Sequence, residues 1–139
     1  MSNQVNLNGG LKSAADFLAA DQAVPQNTSA DGNGGSFDLG NTQGSLEVVA
    51  EVGSVGTDLS DTKVLTIKLQ DSADNSSFAD LATVYTITAA AGSGTKAAGT
   101  QLGKLLIPSP ARRYVKAVIT TDEADVAGKL NVFLTYLPR

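Results

Sequence analysis

Apolar and polar residues alternate along several stretches of the chain. The clearest is 65–70, where a leucine or isoleucine stands at every second position. Four more segments show this period, some with one apolar residue on the polar side: 46–52, 85–88, 115–120 and 130–136. A period of two is typical of strands with one face on a core and the other in solvent or at an interface. The pattern predicts an all-β fold, an antiparallel β-sandwich or jelly roll of about seven or eight strands.

The same alternation predicts which side chains line the core. They are the large aliphatic residues on one side of each segment: Leu46, Val48, Leu65, Ile67, Leu69, Ile119, Leu130, Val132 and Leu134. Val49, Phe133 and Leu137 fall on the opposite side, where a sheet facing water carries polar residues. Because symmetric association is the usual way to cover such residues, their position predicts a homo-oligomer.

Composition changes near residue 36. Residues 1–35 are rich in Asn, Gln, Ala, Ser and Gly, and they end in the turn-rich run 30–35. We therefore expect two parts, an N-terminal arm and linker, 1–35, and a folded domain, 36–139. Four apolar residues of the arm have the spacing of one helical face, but an extended arm explains the sequence equally well: Leu11, Ala14, Ala15 and Leu18.

The large apolar residues of the arm are too sparse to form a core of their own. We therefore expect a mobile arm that grips a neighbouring molecule with these side chains, since buried Phe and Leu contribute about 1.5–3 kcal/mol each. The expected anchors are Leu11, Phe17, Leu18 and Val24. In the alternative interpretation, residues 17–24 add an edge strand to the chain's own sandwich.

The composition excludes many kinds of chemistry. The chain of 139 residues has no His and no Cys. This excludes a Ser-His-Asp triad, a cysteine nucleophile, a Cys/His zinc site and a disulfide framework. A net charge of -4 argues against nucleic-acid binding, and the absence of Trp argues against stacking platforms for sugars. No stretch resembles a membrane span or a signal peptide, so we expect a protein made and used without crossing a membrane.

Four short motifs could carry chemistry, and each has a simpler structural explanation. The acidic stretch 71–75 lacks the spacing of a calcium loop, so a polar turn is expected there. The carboxylates at 122–125 are expected in a solvated turn. The run 92–96 lacks the residue order of a phosphate-binding loop. The two arginines at 112–113 are expected to form local salt bridges or to contact an acidic partner. We predict no catalytic residue, no metal ligand and no cofactor.

Several short stretches stand in a specific order along the chain. They are Phe17-Leu18, Asp21-Gln22-Ala23-Val24, 29–35, Phe37-Asp38-Leu39-Gly40, 46–52, 65–74, 105–108 and Arg113-Tyr114-Val115-Lys116. In this order and spacing the sequence resembles the Bordetella-phage-type capsid cement or decoration proteins of tailed phages. The likeness covers about residues 16–137. The first fifteen residues depart from the family pattern as a longer lead-in.

The resemblance implies a jelly-roll domain that binds the outside of an icosahedral shell of HK97-fold subunits. Such a domain bridges neighbouring capsomers without chemistry, and its partner is the phage major capsid protein. The resemblance also implies a homo-oligomer, for which we favour a trimer over a dimer. The expected location is the outer capsid surface of the virion, after synthesis in the host cytoplasm. An oligomer that grips several subunits at once converts weak contacts into strong binding.

Two other function classes remain open. The first is a β-sandwich carbohydrate-binding module, which is disfavoured because the chain has no Trp and only three Tyr. The second is a glycosidase that uses a pair of carboxylates. It ranks last because no acidic residue stands in an evidently apolar stretch of sequence.

Overall fold

The computed structural model describes residues 4–6, 10–12, 17–40 and 46–136; for 4–6, 10–12 and 136 it describes the backbone alone. This part of the chain contains strands and turns but no helix. The strands are β1 (Gln4–Asn6), β2 (Gly10–Lys12), β3 (Phe17–Ala23), β4 (Thr28–Asp31), β5 (Phe37–Asp38), β6 (Leu46–Val52), β7 (Thr57–Asp58), β8 (Val64–Ser72), β9 (Ala79–Thr88), β10 (Thr95–Lys96), β11 (Gln101–Leu106), β12 (Tyr114–Thr121) and β13 (Lys129–Tyr136).

Two antiparallel sheets form the body of the protein. Sheet I has the strand order β11-β6-β13-β3, and sheet II has the order β4-β12-β8-β9, with β5 also paired to β12. Two short ribbons, β1–β2 and β7–β10, lie outside these sheets. The predicted all-β antiparallel sandwich is therefore confirmed, with somewhat more strands than the sequence pattern indicated.

The core lies between the two sheets. Every residue predicted to line it is at most 3% exposed: Leu46, Val48, Leu65, Ile67, Leu69, Ile119, Leu130, Val132 and Leu134. At the centre of sheet II, Ile67 on β8 stands directly opposite Ile119 on β12. The period of two thus identified the core correctly, because each of these strands has one face on the core.

The first strands of the sandwich come from the segment that was expected to be an arm. Strand β3 pairs with β13 in sheet I, and β4 pairs with β12 in sheet II. The expected boundary after residue 35 therefore does not hold for residues 17–35, which belong to the sandwich. The alternative interpretation, an edge strand at 17–24, describes β3 correctly. Leu18, Ala19 and Val24 are buried in the shared core, so a segment too sparse to form a core alone still contributes to one.

Candidate interaction surface

Sheet I carries apolar side chains on the face that points away from the core. Phe17 on β3 pairs with Phe133 on β13, Phe133 pairs with Val49 on β6, and Val49 pairs with Lys104 on β11. We call Phe17, Phe133 and Val49 the apolar row. Val49 is 7% exposed and Phe133 is 2% exposed, although neither belongs to the core cluster between the sheets. The outer face of sheet I is therefore covered.

The two aromatic residues of the apolar row contact each other. The ring centroids of Phe17 and Phe133 lie 5.3 Å apart at an interplanar angle of 39°, a tilted geometry worth about 0.5–1.5 kcal/mol beyond the buried area. The register shifts next to this pair, between Val132 and Phe133. This shift lets Phe17 lie on the outer face while both Leu18 and Ala19 lie in the core. The bulge therefore joins the edge strand to both faces of the sheet.

The N-terminal ribbon lies close to β13. Strand β2 packs against β13 but does not pair with it. Its pairing partner is β1, in a separate two-stranded ribbon. Strand β13 already pairs with β6 on one edge and with β3 on the other. Its outward-facing residue Thr135 is 5% exposed, so the covered surface extends from Phe133 towards the end of β13.

The apolar surface continues beyond the covered residues. Leu106 ends β11 and stands opposite Glu47 in the register, on the same side of the sheet as Val49. Its side chain is 55% exposed. In the described part of the chain, Val55 is the other exposed large hydrophobic residue, and it lies in the loop between β6 and β7. An exposed leucine beside an apolar row is the feature expected of a contact surface.

The outer face of sheet II is polar. Ser29, Thr120, Thr66 and Thr86 form one row across β4, β12, β8 and β9. The hydroxyls of Ser29 and Thr120 are 2.7 Å apart, and those of Thr66 and Thr86 are 3.1 Å apart. Cross-strand hydroxyl pairs of this kind stabilise a sheet while leaving its surface open to water.

The charged residues of sheet II form pairs on the same face. Lys68 donates to Asp80 at 3.1 Å, and Gln70 donates to the same carboxylate at 2.8 Å. These two contacts, the hydrogen bond from Gln70 first, lower the pKa of Asp80. Lys116 donates to Asp31 at 3.0 Å and lies 4.5 Å from the centroid of the Phe78 ring.

The two adjacent arginines form local salt bridges, as one of the two expectations for them stated. Arg112 donates through Nη2 to the carboxylate of Asp71 and to its carbonyl oxygen, each at 2.9 Å. Burial raises the pKa of Asp71, but the bonds from the side chain and backbone of Arg112 outweigh it, so the pKa is lowered. Arg113 makes two bonds to Asp38, each of 2.9 Å.

Residues 73–75 of the acidic stretch lie in the polar turn that was expected, whereas Asp71 and Ser72 are buried at the end of β8. One oxygen of Asp74 accepts bonds from the backbone N–H groups of Ser76 and Ser77, both at 3.0 Å, and from the Ser72 hydroxyl at 2.8 Å. These bonds, the one from Ser77 first, lower the pKa of Asp74 to about 2. The carboxylate thus fixes the turn between β8 and β9.

The expectation of a solvated turn at 122–125 is wrong for Glu123. Its carboxylate is buried and accepts two bonds from Ser60, one from the backbone N–H at 2.7 Å and one from the hydroxyl at 2.8 Å. Asp122 accepts a bond from the backbone N–H of Val64 at 2.8 Å. Both carboxylates connect this loop to the segment before β8, which the local sequence could not indicate. The run 92–96 forms a turn and then β10, which pairs with β7.

The residues predicted to anchor a partner have different positions. The side chains of Leu18 and Val24 are buried in the chain's own core and cannot contact a partner. Phe17 is half-buried in the apolar row. The side chain of Leu11 lies outside the described residues, as does Leu137 from the set predicted to point outwards.

The sequence also assigned Val49 and Phe133 to the outer face. The register confirms that side, but both side chains are covered rather than exposed. Leu106 was missed as a surface residue. Its signal is the alternation of Lys104, Leu105 and Leu106, which places residues 104 and 106 on the outer side of an edge strand.

The described part of the chain offers little support for other kinds of site. No group of three or more acidic side chains in it could hold a metal ion. Each buried side-chain nitrogen or oxygen in these residues has a hydrogen-bond partner. Nor do these residues include a helix long and apolar enough to cross a membrane.

Comparison with known proteins gives no family assignment: neither a protein-family model nor a curated protein matches the chain.

Proposed function

We propose that the protein is a structural virion protein, a capsid decoration or cement protein. It binds the outside of an HK97-fold phage head and bridges capsomers, which stabilises the head. The sequence resemblance over residues 16–137 supports this role. The structural observation that supports it most is the apolar outer face of sheet I, where exposed Leu106 lies beside the apolar row. Because the apolar row is already covered, the apolar area available to another protein lies at the Leu106 end of this face, and binding there needs no chemistry.

The roles of the carboxylates agree with a protein that is not an enzyme. Asp71 accepts hydrogen bonds from the side chain and the backbone N–H of Arg112. Asp74 accepts bonds within its own turn, and Glu123 accepts bonds from Ser60. Each of these acids bonds to backbone N–H groups and joins or shapes loops. This use of acidic residues is structural, and it leaves them committed to the fold rather than to acid–base catalysis.

The aromatic residues weigh against the carbohydrate-binding alternative. Each ring described by the structure contacts another group of the chain. Phe17 and Phe133 contact each other, Phe78 lies under Lys116, Tyr114 lies under Arg113, and Phe37 and Tyr85 pack against the core. A sugar-binding face presents aromatic rings as an open platform, and these rings are already engaged.

The proposed partner is the phage major capsid protein, on the outer capsid surface of the virion. Before assembly the protein is in the host cytoplasm. It acts as a homo-oligomer, a trimer in preference to a dimer, because an oligomer that contacts several capsid subunits gains affinity from each added contact. It needs no cofactor for this role.

The test is co-sedimentation of the purified chain with empty, expanded heads of the encoding phage that lack their decoration protein. Parallel samples contain insoluble polysaccharides. We expect saturable binding to the heads and none to the polysaccharides. The reverse result would establish the carbohydrate-binding alternative, and binding to neither would remove both proposals.

A matched pair of variants locates the contact surface. Leu106→Asp places a charge on the outer face of sheet I, and Val55→Asp places the same charge on the other exposed large hydrophobic residue in the described part. Neither change affects the core. We expect Leu106→Asp to weaken head binding or self-association at least about tenfold, or about 1.4 kcal/mol, and Val55→Asp to leave both unchanged. Equal effects would show that the apolar face of sheet I is not the contact surface.

A further inference from the structure

The corner between β4 and β5 packs tightly on β3. Its sequence is Asp31-Gly32-Asn33-Gly34. A Cβ atom added to Gly32 would overlap the carbonyl oxygen of Leu18, and one added to Gly34 would overlap that of Phe17. Any larger residue at either position would push the corner away from the edge strand. Packing therefore restricts both positions to glycine.

Asn33 is fixed by its side-chain amide. Its Oδ1 accepts a bond from the backbone N–H of Ala20 at 2.7 Å, and its Nδ2 donates to the carbonyl oxygen of Ala20 at 3.1 Å. The amide thus pairs with β3 as a neighbouring backbone would. The backbone N–H of Asn33 donates to the Gln22 side chain at 2.7 Å. This position needs both a donor and an acceptor on a short side chain, which asparagine provides.

These two requirements together produce an Asn-Gly pair, the dipeptide most prone to spontaneous deamidation. The backbone nitrogen of Gly34 attacks the side-chain carbon Cγ of Asn33, since glycine has no side chain to hinder the approach. An N–Cγ bond forms, the Cγ–Nδ2 bond breaks, and ammonia leaves with the proton of the Gly34 nitrogen. Water then opens the resulting succinimide at one of its two carbonyls, which gives aspartate or isoaspartate.

Both reacting groups are engaged in the folded chain. The Gly34 N–H donates to the carbonyl oxygen of Leu18 at 3.0 Å, and Ala20 holds both ends of the Asn33 amide. The attack requires that the corner leave β3, which is a local opening of the edge strand. We propose that Asn33 is a deamidation site that the fold holds unreactive, and that it reacts only when β3 detaches from the corner.

The product cannot restore the original contacts. An aspartate at position 33 still accepts from the N–H of Ala20, but it has no donor for the carbonyl oxygen and places a negative charge against it. Isoaspartate also lengthens the backbone by one carbon between Gly32 and Gly34, both of which pack directly against β3. Each opening that ends in reaction therefore loosens β3 permanently, and with it Phe17 of the apolar row.

The test follows deamidation in the full-length chain at neutral pH and physiological temperature, with peptide mapping by mass spectrometry. A synthetic peptide spanning 29–37 in the same buffer gives the rate without the fold. The chain's other Asn-Gly pair, Asn8-Gly9, falls in a different fragment of the map. We expect residue 33 to react at least about tenfold more slowly in the folded chain than in the peptide. Equal rates would overturn the proposal.

Two further measurements test the link to β3. Phe17→Ala removes the aromatic contact of the edge strand and should raise the rate at Asn33 towards that of the peptide, whereas Thr86→Ala on sheet II should leave it unchanged. If Phe17→Ala does not fold, urea below the unfolding transition takes its place and should accelerate the reaction in the wild-type chain. If neither Phe17→Ala nor urea changes the deamidation rate of Asn33, detachment of β3 does not control the reaction. Asn33→Asp should melt at a lower temperature than the wild type. An unchanged melting temperature would contradict the permanent loosening of β3, because the corner would then pack on β3 with aspartate at position 33.

Discussion

The two outer faces of the sandwich differ, although both sheets alternate in the same way. On sheet II the outward positions carry hydroxyls and ion pairs, such as Thr66 with Thr86 and Lys68 with Asp80. On sheet I they carry Val49 and Phe133, which are buried without belonging to the core between the sheets. The polar side chains on the outer face of sheet II can face water. The outer face of sheet I is covered within the chain itself, so the difference assigns solvent to sheet II and a second buried layer to sheet I.

The covered face also changes where the stability of the protein lies. A two-layer sandwich has one core, but the outward-facing Phe133 is as inaccessible as the side chains between the sheets. Strand β2 packs against the strand that carries it. Sheet I therefore has buried side chains on both faces around β13, whereas the outward residues Thr66 and Lys68 at the centre of sheet II are only partly buried.

The largest effect is expected from deletion of residues 1–24. This deletion removes β3, which leaves one edge of β13 unpaired and removes Leu18, Ala19 and Val24 from the core. Loss of the Leu18 side chain alone is expected to cost about 2–5 kcal/mol. We expect the truncated chain to lose its cooperative unfolding transition or to melt far below the full chain. Deletion of 1–12, which spares β3, should leave a cooperative transition in the same urea or thermal experiment.

A truncated chain that lacks 1–24 and keeps the full melting temperature would contradict this assignment. That outcome would make residues 17–24 an independent arm, and the pairing of β3 with β13 would contribute nothing to stability.

The next effect compares one residue from each outer face. Phe133→Ala should lower the free energy of unfolding by about 3–5 kcal/mol, as for a buried aromatic residue. Thr86→Ala, on the open face of sheet II, removes one cross-strand hydroxyl pair and should change it by at most about 1 kcal/mol. Urea unfolding of both variants measures the difference. Similar losses in the two variants would mean that the outer faces are equally solvated.

A double-mutant cycle sharpens this comparison. If the contact between Phe17 and Phe133 stabilises the folded state, the two alanine substitutions should be non-additive by about 0.5–1.5 kcal/mol. Phe17 with Thr86 provides the control pair, and its substitutions should be additive because the residues lie on different sheets. Additivity in both pairs would leave the aromatic contact without an energetic role.

A smaller difference in stability is expected between alanine variants of two aspartates, one paired with an arginine and one with a lysine. Asp71→Ala removes a buried carboxylate that accepts bonds from the backbone N–H and side chain of Arg112. It should cost about 1–3 kcal/mol, because the part-buried N–H of Arg112 and its guanidinium lose their acceptor. Asp80→Ala removes an exposed partner of Lys68 and should have a much smaller effect, since solvent already screens that pair. Thermal unfolding of the two variants distinguishes them, and a larger loss for Asp80→Ala would reverse this ranking.

The sequence predicted the features that depend on local alternation. It identified the core residues of β6, β8, β12 and β13, because a period of two reports which side of a strand is apolar. It also placed Val49 and Phe133 on the outer side. It could not show that they are covered, because the cover depends on how distant parts of the chain pack.

The missed edge strand has the same physical cause. Leu18 and Ala19 are adjacent apolar residues that both enter the core because of a bulge opposite β13, so β3 does not alternate in its sequence. Glu123 was assigned to solvent for a similar reason, since its partner Ser60 belongs to a distant loop. Pairing across long sequence separations decided these positions.

The smallest effect is on the acid side of the stability profile. The pKa of Asp74 in the folded chain is about 2, below the value of about 3.9 for an unperturbed aspartate. A lowered pKa in the folded state contributes stability that is present above the unfolded value and is lost as pH falls through the folded value. We therefore expect the urea midpoint to decrease between about pH 4 and pH 2, with Asp71 and Asp80 adding in the same direction. Asp74→Asn keeps an acceptor for the turn but cannot titrate, so its midpoint should fall less steeply over this range. Identical slopes for the variant and the wild type would show that the turn does not depend on the charge of Asp74.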